Sequence, residues 1–219
     1  LYLSAGGYWE IKTKKYSDIY FPSTIDEAFE SQIYHMKKEH RDIMEIISIY
    51  DSSVSKSTLL DILNMKKEKL DKNLEELVDM GLVDERVADW GYSYSINNIQ
   101  LKRIIYHQIP REQRLMLHKR IAKLLEDRYS QNYKPILDEL IYHLLSSNQR
   151  EKALEYIVEE AEKSRSYSSQ GTLLWEEAYE IANALDSEHK IKILENLGEI
   201  YSIKGENQKA LNIYEELLE

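Results

Sequence analysis

Seven glycines and three prolines are the only strong helix breakers in this chain of 219 residues. Glycine loosens a helix and proline blocks one, so a sequence this poor in both can form long helices. It also lacks the turn chemistry that a loop-rich all-β fold needs. The breakers sit where boundaries are wanted. Gly6-Gly7 separates two strand-like runs, and Gly81 and Gly205 stand just past amphipathic segments. Pro22, Pro110 and Pro135 each precede or follow one. Hydrophobic residues at 42% and charged residues at 31% give a globular balance, enough to bury a core.

The first run, "LYLSA", and the second, "YWEIKTK", read as two short strands around Gly6-Gly7. A lone hairpin is marginal, so residues 1–20 are expected to be a strand pair belonging to a preceding domain. Ser23 is the expected N-cap of a helix over 24–35, with Asp26 in its first turn. A second helix is expected over 38–50, where Ile43, Ile46, Ile47 and Tyr50 recur at helical spacing. Ser55 caps a short helix, and a longer one over 66–80 carries Leu70, Leu74, Leu77 and Val78 on one face. Gly81 is placed to close it in the left-handed region. "LVDERVADWGYSYSI" then reads as two strands turning at Asp89-Trp90-Gly91.

Helix, helix, helix, hairpin is the order of a winged helix-turn-helix. Residues 21–98 are therefore expected to form a winged-helix-like module. Connecting helices follow over 99–135, one with Leu117, Ile121, Leu124 and Leu125 as its apolar stripe. Residues 136–219 are expected to be helical throughout, with helices near 136–147, 150–167, 169–185, 188–204 and 207–219. The fold class is mainly α: an N-terminal α/β-hairpin module followed by an array of helical hairpins.

Composition excludes several chemistries. With no cysteine, a disulfide framework, a thiolate nucleophile and a cysteine-ligated zinc site are ruled out. None of the six histidines forms an H-E-x-x-H or an i, i+4 pair. His118 and His143 read as packing residues at helix interfaces. Glu75, Glu76, Asp79, Asp84 and Glu85 read as a solvated acidic face rather than an acid–base pair. No G-x-S-x-G elbow and no G-x-x-x-x-G-K-[ST] loop occurs, so neither a nucleophilic serine nor nucleotide hydrolysis is expected, nor any cofactor or metal. No apolar run approaches the roughly 20 residues that span a bilayer, and the N-terminus lacks the order of a signal peptide. The expected location is cytoplasmic.

The net charge of −10 argues against a nucleic-acid partner, because phosphate contacts need a basic face. The helix-turn-helix pattern keeps that alternative open. Its contacts would be Lys66, Lys67, Lys69 and Lys72, although Glu68, Asp71, Glu75, Glu76 and Asp79 interleave with them.

Two resemblances have residues behind them. "ILENLGEIYSIKGENQKALNIYEELLE" resembles a tetratricopeptide repeat, with Leu197, Gly198, Tyr201, Gly205, Ala210 and Tyr214 at motif positions and Leu217 departing from the usual alanine. A looser pair precedes it, in which Gly171, Trp175 and Ala178 stand as Ala210, Tyr214 and Leu217 do, at an offset of 39 residues against a usual period of roughly 34. The resemblance implies a peptide-binding face at Lys192, Glu195, Glu199 and Ser202. It also implies that the apolar face of the last helix would be covered by a further repeat.

The rest is similar to the segment after the nucleotide-binding domain in bacterial signal-transduction ATPases of the STAND type. "LEELVDMGLVDER", "IIYHQIPREQRLMLHKRIAKLLE" and "ELIYHLLSSNQREKALEYI" carry the likeness, with Tyr106, Arg114, Leu117, His118, His143 and Ala153 in place. Asn98 stands where that family often has a histidine. The resemblance implies a non-catalytic regulatory and protein-interaction segment of a larger protein, coupling helical-repeat sensing to a nucleotide-binding or output domain. A DNA-binding transcriptional regulator is the alternative.

Overall fold

A computed structural model describes residues 2–3, 9–10, 24–88, 91–130, 132–164, 168–185 and 188–218. They fall into two compact units, 1–117 and 118–219. The first contains β1 (Tyr2–Leu3), β2 (Trp9–Glu10), α1 (Ile25–Tyr34), α2 (Lys38–Ile49), β3 (Val54–Ser55), α3 (Lys56–Leu63), α4 (Lys67–Asp79), β4 (Val83–Ala88), β5 (Gly91–Ile96) and α5 (Ile99–Gln108). The helix α6 (Arg111–Tyr129) runs from the first unit into the second. The second continues with a 3-10 turn (Lys134–Ile136), α7 (Leu137–Ser146), α8 (Arg150–Lys163), α9 (Ser169–Asn183), α10 (Lys190–Lys204) and α11 (Asn207–Leu217).

In the first unit, β1 and β2 pair antiparallel, Tyr2 opposite Glu10, as the runs around Gly6-Gly7 predict. The N-cap of α1 is Thr24, one residue beyond the expected Ser23; its Oγ1 accepts the Glu27 N–H at 3.1 Å. Ser55 caps α3 as expected, accepting the Thr58 N–H. The hairpin β4–β5 runs in register from Val83–Ile96 to Ala88–Gly91, and the expected turn residues Asp89 and Trp90 lie outside the described residues. A third strand, β3, pairs antiparallel with the other edge of β5, giving the order β3-β5-β4. Ile43, Met44, Ile47, Leu59, Leu70, Leu74, Leu77 and Tyr94 are buried between the helices and this sheet.

In the second unit each helix packs on the next, with α7 on α8, α8 on α9, α9 on α10 and α10 on α11. The buried stripe of α8 is Ala153, Leu154, Ile157, Val158 and Ala161; that of α10 is Ile193, Leu194, Leu197, Gly198 and Tyr201. The spacing of the two buried stripes is the same, as a helical-repeat array would have it. Three helices end alike. Gly81, Asn148 and Gly205 each adopt positive φ, and the residue after each donates back to the carbonyl five positions earlier: Leu82 to Leu77, Gln149 to Leu144 and Glu206 to Tyr201. This closure satisfies carbonyls that a helix end leaves open and sets the tight turn into the next element.

Candidate functional site

The residues expected to bind peptide share one exposed face of α10. Lys192, Glu195, Glu199 and Ser202 are all exposed, opposite the buried stripe that holds α10 on α9 and α11. Lys192 forms an ion pair with Glu162 of α8. Ser202 turns its hydroxyl to its own helix and donates to the Gly198 carbonyl at 2.8 Å, which removes it as a free donor. Glu155, Glu159 and Glu162 are exposed on α8, where Glu159 pairs with Lys163 at 2.6 Å. The exposed residues of these two faces thus carry more carboxylates than lysines, with Glu159 and Glu162 held in ion pairs.

The helices behind that face are pinned by tyrosine hydroxyls. Tyr156 donates to Glu126 at 2.9 Å, where Lys152 also lies 2.6 Å away. Tyr201 of α10 donates to Glu176 of α9 at 2.8 Å, and Tyr179 of α9 donates to Glu216 of α11 at 2.6 Å. In the first unit Tyr94 donates to Glu85 at 2.6 Å. Burial first, then the accepting carboxylate, raises the phenols of Tyr94, Tyr156 and Tyr201 above their ordinary range. For Tyr179 the bond to Glu216 comes first and burial second. At these four positions Tyr does what Phe, present only twice, could not: the ring fills the contact and the hydroxyl ties it to a carboxylate of a neighbouring element.

The expected DNA contacts are less coherent. Lys66 is the residue before α4, and Lys67 and Lys72 are exposed along it, but Lys69 is held by Glu39 at 2.9 Å. Two of the interleaved carboxylates are engaged with lysines from elsewhere in the unit: Asp71 with Lys56 at 2.5 Å, Glu76 with Lys37 at 2.7 Å. Buried His40 also sits 2.9 Å from Glu76. Burial pulls His40 below its ordinary value, the Glu76 carboxylate opposing it. The hydrogen bond from Lys37 holds Glu76 below the usual carboxylate range. A cleft of ≈ 320 Å³ between α4 and the hairpin is lined by Asp71, Glu75, Asp79 and Glu85 around Lys56 and Tyr94. The acidic cluster is therefore partly structural, with Glu76 and Glu85 tying elements together, rather than only a solvated face.

His118 and His143 are buried at the contact of α6 with α7, as expected of packing residues, and their Nδ1 atoms lie at hydrogen-bond distance from each other. Among the described residues no group of three or more His, Asp or Glu is placed to hold a metal ion, and no helix is long and apolar enough to cross a membrane.

No protein-family model matches the chain, and no curated protein matches it. Among solved structures, one that is similar is a signal-transduction ATPase with numerous domains (STAND) protein with a tetratricopeptide repeat sensor from Pyrococcus horikoshii. The TM-score is 0.41 at 15% identity, over 92% of this chain. The chain spans 34% of the length of that protein.

Proposed function

We propose that this chain is a non-catalytic regulatory and protein-interaction segment of a larger, cytoplasmic signal-transduction protein. In this reading the hairpins α8–α9 and α10–α11 are tetratricopeptide-like repeats that receive a protein partner. Residues 21–98 are a winged-helix-like module that couples them to a neighbouring nucleotide-binding or output domain. The observation that carries the reading is the repeated buried stripe of α8 and α10, which leaves an equivalent outer face on each helix. The order α2, β3, α3, α4, β4, β5 with sheet order β3-β5-β4 supports the winged-helix assignment. The sequence stretches similar to STAND-type proteins support the larger context.

The proposed contact face is Lys192, Glu195, Glu199 and Ser202. Its excess of carboxylates favours a partner segment carrying Lys or Arg, since unlike potentials steer encounter and like charges reject wrong partners. The test is selection from a random peptide library on the immobilised chain. Enrichment of basic peptides that is lost in Glu195→Lys/Glu199→Lys is expected; no enrichment, or enrichment indifferent to the two reversals, rejects the face.

The DNA-binding alternative is favoured by one observation, the exposed lysines Lys66, Lys67, Lys69 and Lys72 at and along α4 beside a β-hairpin wing. It is opposed by the carboxylates lining the cleft between that helix and the wing.

A further inference from the structure

The most deeply buried ionisable pair in the second unit has no role in the contact face. His118 of α6 and His143 of α7 are 1% and 0% exposed, and their Nδ1 atoms lie 2.9 Å apart. The ring centroids are 5.1 Å apart at a tilt of 46°, and the Tyr142 ring packs edge-on against both.

Two Nδ1 atoms at hydrogen-bond distance have room for one hydrogen. One ring is the Nδ1–H donor; the other accepts at Nδ1 and carries its own proton on Nε2. A single added proton can reside on the donor ring without breaking the bond. A second would set two N–H groups head to head. The packed pair therefore takes up fewer protons than two separated imidazoles do.

We propose that the α6–α7 contact is a proton-sensitive latch, closed by the neutral His118–His143 bond and released by proton uptake as the pH falls from neutrality toward 5. The charged groups that the neighbouring helices bring near the pair are tied to one another. On α7, Glu139 lies one turn before His143; burial raises its carboxyl and Arg128 of α6 opposes the rise. From α8, Lys152 and Tyr156 are turned to Glu126 of α6, and Glu160 faces Lys134 at 3.1 Å. Burial first, then the proton that the pair would place on neighbouring His118, pulls His143 from 6.5 to about 3, so the closed pair resists full protonation. A histidine depressed in the closed state favours closure fully above about pH 6.5, and that contribution is lost progressively as pH falls toward 3.

The test is amide hydrogen exchange of the whole chain at pH 7.5 and 5.5, corrected for intrinsic rate and read over 118–146. One proton taken up on opening raises the opening constant about tenfold between these values, and two raise it about a hundredfold. In His143→Leu the rise is expected to shrink by about tenfold. Imidazole nitrogen shifts of the wild type at pH 7.5 give a readout that needs no variant: one ring Nδ1–H and the other Nε2–H. A wild-type opening constant independent of pH, an undiminished rise in a folded His143→Leu, or two Nε2–H rings would overturn the latch.

Discussion

The ring of Tyr214 on α11 occupies the space that a side chain at Gly198 of α10 would need. A Cβ built on Gly198 would fall 2.7 Å from Tyr214 Cζ and 3.0 Å from Cδ1. The glycine here is a packing residue, since its backbone is ordinary helix, and it allows the last two helices to approach closely.

Gly198→Ala gains about 1 kcal/mol of helix propensity and loses a similar amount by displacing the ring. Tyr214 is 38% exposed, so its tip can yield. The single substitution is expected to change stability by less than about 1 kcal/mol. In a Tyr214→Ala background the same change is expected to stabilise by about 1 kcal/mol. A double-mutant cycle by urea denaturation checks this, and strict additivity contradicts the contact.

The tyrosine clamps make a second prediction. Tyr156→Phe and Tyr201→Phe each remove a hydroxyl bond to a carboxylate and are expected to cost about 1–2 kcal/mol. Tyr129→Phe, at a 38% exposed position, is expected to stay within about 0.5 kcal/mol. Equal small effects at all three sites in denaturant melts would show that the clamps carry no stability.

The same clamps set an alkaline limit. The phenols of Tyr94, Tyr156 and Tyr201 are raised above their ordinary value of 10.0. A group whose folded value is raised stabilises fully below its unfolded value and loses that contribution as pH climbs past it. Absorbance titration of phenolate is expected to show a late-ionising set that appears only with unfolding. Ionisation of all tyrosines together near pH 10, with the fold intact, would contradict the buried bonds.

A fourth prediction concerns the left-handed closure between α7 and α8. Asn148 holds φ 59. Asn148→Gly should leave stability nearly unchanged, whereas Asn148→Val should cost about 1–2 kcal/mol, because a β-branched side chain is strained there. Thermal melts of the two variants compare them directly.

Much of this fold was legible in local signals. Ser55, Gly81 and Gly205 mark boundaries by chemistry confined to their own neighbourhood, and the spacing of Leu70, Leu74 and Leu77 marks the buried face of α4. What escaped depends on distant partners. Val54 and Ser55 are too short a run to read as a strand, and become one only by pairing with Tyr94 and Ser93. Asn98 looked like a departure from a family pattern; it is the N-cap of α5, accepting from Gln100 and Leu101. His118 and His143 showed their apolar setting, but their mutual bond joins residues separated by 25 positions. The exposed face of α10 was readable from the repeat motif, whereas the engagement of Lys192 by Glu162, of Lys69 by Glu39 and of Glu76 by Lys37 was not. Ion pairs between helices have no periodic signature.

For the nucleic-acid alternative, fluorescence anisotropy with random duplex at low salt discriminates. The pairing of Lys69 and the acidic cleft beside α4 predict no binding at tens of micromolar. Binding that weakens steeply with salt and is lost in Lys66→Ala/Lys67→Ala would establish it instead.

The central claim, that the outer face of the repeated helices receives a protein partner, is tested most directly by mapping amide chemical-shift changes as a basic peptide from the library selection is titrated into the labelled chain. The account predicts saturable shifts along Lys192, Glu195, Glu199 and Ser202, absent from α4 and abolished by Glu195→Lys/Glu199→Lys. Shifts confined to the first unit, or none at saturating peptide, would contradict it.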